Sequence, residues 1–75
     1  MGLKELVRQQ IDQYFDELDG EMPQDLYDLV VGQVEHALLE AALAHSNNNQ
    51  SKAAEMLGIS RGTLRTRMKL FGLLS

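Results

Sequence analysis

The strongest constraint on the fold is a very short connection between two helical segments near the C-terminus. Asn49 and Ser60 can each cap a helix with a side-chain oxygen, and only Gly58 and Ile59 separate the end of the first helix from the second cap. A chain that reverses within three or four residues commonly needs a positive φ, which glycine adopts without a steric penalty. The spacing therefore predicts two short helices joined by a tight turn at Gly58.

The apolar residues of both segments fall on faces that can pack together. Ile59 precedes the second cap and Leu64 lies four residues into the second helix, a pattern typical of a hydrophobic staple. Alanine at positions 53 and 54 allows the two helices to cross closely. The predicted inner face consists of Ala53, Ala54, Met56, Leu57, Leu64 and Met68. This arrangement is a helix-turn-helix.

Charge is distributed unevenly along the chain. Residues 1–49 contain ten acidic and two basic residues, whereas residues 50–75 contain one acidic and five basic residues. The formal net charge of −4 therefore conceals a positive segment that coincides with the helix-turn-helix. Because DNA responds to the local potential and not to the average of a whole protein, the sequence predicts a basic outer face suited to double-stranded DNA.

The first half of the chain predicts two helices separated by a loop. Apolar residues at three- and four-residue steps predict a helix over Leu3–Leu18. Gly20 can close this helix, and Pro23 prevents a continuous helix through the loop at residues 19–25. A long second helix is expected from residue 24 or 25 to residue 45.

The second helix has apolar residues on two sides, with Leu29, Leu39 and Leu43 on the narrower one. One side can pack within the chain while the other meets a partner, which favours an intertwined symmetric dimer. The alternative is that both sides are covered within one chain. The predicted dimer face consists of Leu26, Tyr27, Val30, Val31, Val34, Leu38 and Ala41.

The remaining polar residues form no catalytic or metal-binding pattern. The chain has no cysteine, and His36 and His45 have no second ligand at metal spacing. No nucleophile–base arrangement or phosphate-binding glycine loop occurs, and no apolar run approaches the ~18 residues that span a bilayer. We therefore expect a cytoplasmic binding protein and no enzyme, with no metal, cofactor, membrane or small-molecule partner.

A helix-turn-helix places the N-terminal end of its second helix in the major groove. Arg61 directly follows the cap, and its guanidinium matches O6 and N7 of guanine. Thr63 and Arg65 can reach the backbone or a base edge, while Asn49 and Ser51 suit phosphate contacts at the start of the first helix. The remaining cations, expected to contact phosphate or steer DNA, are Lys52, Arg67 and Lys69.

Several segments closely resemble the Fis family (factor for inversion stimulation) of bacterial nucleoid-associated DNA-bending proteins. The matching segments are Asn49-Gln50, Ala53-Ala54, residues 57–64 and Phe71-Gly72, and residues 26–40 resemble the dimerisation helix of the family. A similar helix-turn-helix ends the NtrC-type enhancer-binding activators, so an isolated DNA-binding domain of that type is the alternative. A helical module that binds an acidic protein partner is a third interpretation.

The resemblance implies an all-α fold of four helices in a single domain and an intertwined homodimer. Residues 1–46 would form the dimerisation helices and residues 47–75 the DNA-binding region of a transcription regulator that bends DNA in the nucleoid with modest sequence preference. It implies DNA contacts at Asn49, Ser51, Ser60, Arg61, Thr63, Arg65 and Thr66.

The sequence also departs from the family pattern. Thr66 and Leu70 stand where the enterobacterial form has lysine, which removes two positive charges from the expected DNA face. Ser60 replaces an asparagine and has a shorter reach. The chain begins almost at the first helix, without the N-terminal arm that activates a DNA invertase, so stimulation of DNA inversion is not expected.

Overall fold

The computed structural model describes residues 1–74, and within that range the chain forms four helices and no strand. The all-helical prediction is confirmed, and the predicted second helix begins one or two residues later than expected. The chain divides into two compact units, Met1–Val31 and the segment from Gly32 onward. The predicted functional division at residue 46 remains a prediction. The helices are α1 (Leu3–Leu18), α2 (Leu26–His45), α3 (Gln50–Leu57) and α4 (Arg61–Leu70).

The first unit contains α1 and the beginning of α2, and none of its residues is buried. The predicted bounds of this helix, Leu3–Leu18, are confirmed, and Asp19 adopts a left-handed conformation at φ 50° directly after it. Gly20 continues the turn at φ 89°. The predicted apolar stripe of α1 is half-buried at Val7, Ile11, Tyr14 and Leu18 and exposed at Leu3, Leu6 and Phe15.

The second unit contains the hydrophobic core. Leu64 of α4 is 0 % exposed, and Ala53 and Ala54 of α3 are also buried, so small side chains allow the two helices to pack closely. The second half of α2 completes this core with Leu39, Ala42 and Leu43, and α4 adds Met68. The core therefore joins the helix-turn-helix to the end of α2.

Met56 does not belong to this core, and the prediction that it lies on the inner face is wrong. Its side chain is 55 % exposed. At about 100° per residue, position 56 lies on the side of α3 opposite Ala54. Within this eight-residue helix, Ala53 and Ala54 belong to the core and Leu57 packs against it.

Three of the helices end in the same hydrogen-bonded turn. At the end of α3, the N–H of Ile59 donates to the carbonyl oxygen of Ala54 at 3.1 Å, and Gly58 has φ 74°. This is the Schellman arrangement, in which a left-handed residue follows the helix. The ends of α2 and α4 repeat it, with Asn47 at φ 55° and Gly72 at φ 68°. The turn predicted at Gly58 is confirmed.

We expect Gly58→Ala to lower the free energy of unfolding by about 1–2 kcal/mol, because an L-residue is strained in the left-handed region. Overlap with other parts of the fold does not contribute, since no atom beyond the two neighbouring residues lies within 4 Å of a Cβ built at Gly58. Gly62→Ala is the matched control: this site is equally open but lies in α4, where alanine is favoured by about 0.5–1 kcal/mol. Denaturant unfolding measures both, and equal stabilities of the two variants would contradict this expectation.

Candidate nucleic-acid interface

Three of the four cations of α4 are exposed at the surface. Leu64 and Met68 are buried, whereas Arg61, Arg65 and Lys69 are exposed. These three cations follow each other at intervals of four residues and therefore share one face of the helix. They form a row of positive side chains along one exposed flank of α4, next to the exposed Thr66 and Leu70.

Both helices of the helix-turn-helix are capped by the residues that the sequence suggested. The Oδ1 of Asn49 accepts a hydrogen bond from the N–H of Lys52 at 3.0 Å, and the Oγ of Ser60 accepts one from the N–H of Thr63 at 3.1 Å. The hydroxyl of Ser60 also donates to Oγ1 of Thr63 at 2.8 Å. Asn49 and Ser60 are exposed, so capping leaves them accessible at the surface.

Arg65 is held by a residue that no sequence pattern indicated. Its Nη1 donates to Oε1 of Gln50, the first residue of α3, at 2.7 Å. No local pattern relates positions 50 and 65, because their proximity results from the packing of α3 on α4. The bond uses one of the five guanidinium N–H donors, so Arg65 retains donors for a further acceptor.

Arg67 lies on a different flank of α4 from the exposed cations. Its Nε and Nη2 donate to both carboxylate oxygens of Glu35 in α2. The Glu35 side chain is only 23 % exposed and that of Arg67 39 % exposed. The sequence predicted that Arg67 contacts phosphate or steers DNA, whereas the structure gives its guanidinium a carboxylate partner within the chain.

The other predicted DNA-binding residues share the surface of the helix-turn-helix. Thr66 is exposed, and its hydroxyl donates to the carbonyl oxygen of Gly62 at 3.1 Å. The exposed members of the predicted set are Asn49, Ser51, Lys52, Ser60, Arg61, Thr63, Arg65, Thr66 and Lys69. The crossing of α3 and α4 therefore leaves nine of the ten predicted residues exposed.

The predicted dimer face of α2 is largely exposed in the single chain. Tyr27, Val31, Val34, Leu38 and Ala41 are exposed, while Leu26 and Val30 are half-buried. Of the residues expected on the other side of α2, Leu39 and Leu43 are buried, but Leu29 is 39 % exposed. The helix thus contributes to the core near its end and leaves an apolar face uncovered along most of its length.

Two short helices, joined by a tight turn at Gly58 and with Ser60 capping the second, define a helix-turn-helix protein. None of the four helices described is both long and apolar enough to cross a membrane. Among residues 1–74, no three potential metal ligands come together.

Comparison with known proteins places this helix-turn-helix in a family. The family described as "Bacterial regulatory protein, Fis family" matches residues 30–71. The chain is 45 % identical over 71 residues to DNA-binding protein Fis of Glaesserella parasuis, an alignment that covers 95 % of this chain and 72 % of the relative. With the same coverage, it is 46 % identical to the protein of that name from Actinobacillus succinogenes and 42 % identical to that from Pasteurella multocida. The chain belongs to the Fis family.

The Glu35–Arg67 pair should make stability depend on pH. The hydrogen bonds from Arg67 hold the pKa of Glu35 below its usual value, with a smaller contribution from the charge of Arg67, while burial acts in the opposite direction. A carboxylate with a lowered pKa contributes stability that is fully present above its unfolded pKa of about 4.3 and is lost as the pH falls through the folded pKa. We expect Glu35→Gln to be less stable than the parent protein at neutral pH and to lose less stability on acidification.

Thermal unfolding between about pH 7 and pH 3 measures this difference. Asp12→Asn is the charge-matched control, since Asp12 pairs with Arg8 on an exposed face of α1 at 3.2 Å. The control variant keeps the bonds between Glu35 and Arg67 and should retain their contribution to the acid dependence. Parallel pH curves for Glu35→Gln and the parent protein would contradict the prediction.

Proposed function

We propose that the protein binds double-stranded DNA as a homodimer and inserts α4 into the major groove. The observation that carries this proposal is the row of exposed cations, Arg61, Arg65 and Lys69, along one flank of the helix that buries Leu64 and Met68. The relatives that are 42–46 % identical are named DNA-binding protein Fis, which supports the same function here. Their similarity extends over 95 % of this chain, and this coverage favours a Fis-type regulator over an isolated activator domain.

Under this proposal, the residues at the N-terminal end of α4 read bases and the others contact phosphate. Arg61 is the first residue of α4, where its fork can donate to O6 and N7 of one guanine. Thr63 lies in the same turn. Arg65 and Lys69 lie farther along the row and contact the backbone. The remaining proposed contacts are Asn49, Ser51 and Lys52 at the start of α3, Ser60 at the cap of α4, and Thr66 within α4.

The proposed homodimer covers the apolar face of α2. Leu38 is 52 % exposed and Tyr27 is 77 % exposed, although both lie on a helix that contributes to the core at Leu39 and Leu43. A 75-residue chain is marginally stable alone, and association through this face would bury further apolar surface. A twofold dimer presents two copies of α4 to one side of the duplex.

We further propose that the dimer bends DNA and acts as a nucleoid-associated transcription regulator in the cytoplasm. The support for bending is the family resemblance, which implies recognition helices too close together for successive major grooves of straight DNA. The duplex must then bend, and base pairs that the protein does not touch contribute through their deformability. With one guanine-reading side chain per chain, sequence preference should be modest.

Replacing Arg61 and Lys69 separately tests the division between base reading and phosphate contact. Arg61→Ala removes the guanine contact and should cost ~1–3 kcal/mol of binding while relaxing the preference at one symmetric pair of positions. Lys69→Ala should weaken binding to all duplexes about equally and reduce the slope of log K against log salt by roughly one unit for each phosphate interaction that it removes. The measurement is a binding titration over duplexes with the candidate guanine varied, repeated over a salt series.

Circular dichroism must first show that both variants of α4 remain helical. A uniform loss of affinity for Arg61→Ala, with base preference intact, would make Arg61 a phosphate contact and leave recognition to DNA shape. Absence of salt-dependent DNA binding by the parent protein would overturn the proposed function itself.

A charge in the apolar face of α2 tests the homodimer. Leu38→Asp should abolish dimerisation, and folding with it, because an unpaired charge buried in an interface costs several kcal/mol. Gln33→Asp introduces the same charge at an exposed polar position of α2 and should remain a dimer. Sedimentation equilibrium distinguishes the states, and a folded 8.4 kDa monomer of the parent protein at micromolar concentration would contradict the proposal.

A further inference from the structure

The pair formed by Glu35 and Arg67 connects α2 and α4, to which the proposed function assigns different roles: dimerisation and DNA binding. Glu35 lies in α2, immediately after Val34 of the proposed dimer face, and Arg67 lies in α4. Both oxygens of the carboxylate accept from the guanidinium, so the two planar groups are fixed in one relative orientation. A single bond from a lysine would not impose this geometry.

A second contact joins the same two segments of chain. The rings of His36 and Phe71 stack with centroids 5.0 Å apart and planes inclined by 22°. His36 follows Glu35 in α2, and Phe71 is the residue that caps the end of α4, one helical turn beyond Arg67. Two adjacent residues of α2 therefore contact two residues on one flank of α4.

The cluster lies beside the proposed dimer face of α2, one turn from Val31 and Leu38, and on the other flank of α4 from the exposed cations. Arg67 lies on a different flank of α4 from Arg61, Arg65 and Lys69, and Glu35 lies one turn before the buried Leu39. Val34 and Leu38, by contrast, belong to the exposed face of α2. The paired charges thus extend the packing between α2 and α4 and leave the exposed row of cations free.

We infer that Glu35 and Arg67 form a latch that fixes the direction of α4 relative to α2, so that Arg67 positions the DNA-reading helix and does not itself contact phosphate. This inference rests on the proposed function. In a twofold dimer joined through α2, the direction of α4 sets the separation of the two recognition helices. The latch therefore controls how far a bound duplex must bend.

The salt dependence of binding differs between a latch and a phosphate contact at Arg67. Without Arg67, the helix-turn-helix of each chain offers four cations to DNA, namely Lys52, Arg61, Arg65 and Lys69. A dimer then releases counterions from at most eight phosphates, which limits the slope of log K against log salt to about −7. A phosphate contact by Arg67 in each chain would raise that limit to about −9.

The variants that test the latch are Glu35→Gln, Arg67→Lys and the two combined. Arg67→Lys is the most informative, because it keeps the positive charge and loses the fork that binds both carboxylate oxygens. The bend of a bound duplex is measured by energy transfer between dyes at its two ends. The latch requires Glu35→Gln and Arg67→Lys to shift the bend in the same direction, with a severalfold loss of affinity and an unchanged salt slope.

Asp12→Asn is the charge-matched control for Glu35→Gln, since it also removes one negative charge from an Arg–carboxylate pair. This control should leave the bend as it is in the parent protein. The exchanged pair Glu35→Arg with Arg67→Glu should restore the bend, because it re-forms the ion pair in reverse.

Contrary results overturn the latch. If Arg67→Lys binds and bends DNA like the parent protein while Glu35→Gln binds more tightly, Arg67 is a phosphate contact that Glu35 partly neutralises. Unfolding of the single and combined variants without DNA supplies an independent measurement: the latch requires non-additive effects of Glu35→Gln and Arg67→Lys. Additive effects overturn the latch even if the protein binds DNA. Absence of binding by the parent protein overturns the proposed function and, with it, the role of the latch in DNA bending, even if the effects on unfolding are non-additive.

Discussion

The second unit depends on the packing of Leu64, which is completely buried in a core that includes Ala53 and Ala54. The two alanines allow α3 and α4 to approach closely, and this approach brings Gln50 within hydrogen-bonding distance of Arg65. Larger side chains at either alanine would separate the helices, because a well-packed core has no space for added methylene groups. The surface arrangement of cations therefore follows from the small volume of two residues beneath it.

The local features of the helix-turn-helix were predictable from sequence. Gly58 and the caps at Asn49 and Ser60 act through residues no more than a few positions away, so residue type and spacing are sufficient to identify them. The partners of Arg65 and Arg67 were not predictable, because Gln50 and Glu35 are 15 and 32 positions away in the chain. Long-range pairs depend on how helices cross, and no periodicity in one helix encodes that angle.

Helix α2 shows the limit of predictions based on periodicity in a different way. Its two apolar sides were evident, and the structure buries one of them at Leu39 and Leu43. For the other side, sequence and single-chain structure give the same information: the apolar residues exist and are exposed. If that face associates as proposed, folding and assembly become linked, and the measured stability will depend on protein concentration.

Gly62 lies in the first turn of α4, where it has no neighbour within 4 Å of the position that a Cβ would occupy. A glycine inside a helix costs about 1 kcal/mol relative to alanine, and the core gains nothing from it at this exposed site. The absence of a side chain leaves the helix backbone itself as the surface between Arg61 and Thr66. Under the proposed function, Gly62 lowers the stability of α4 in the free protein. In the complex, it allows the backbone of α4 to approach the floor of the groove closely at this position.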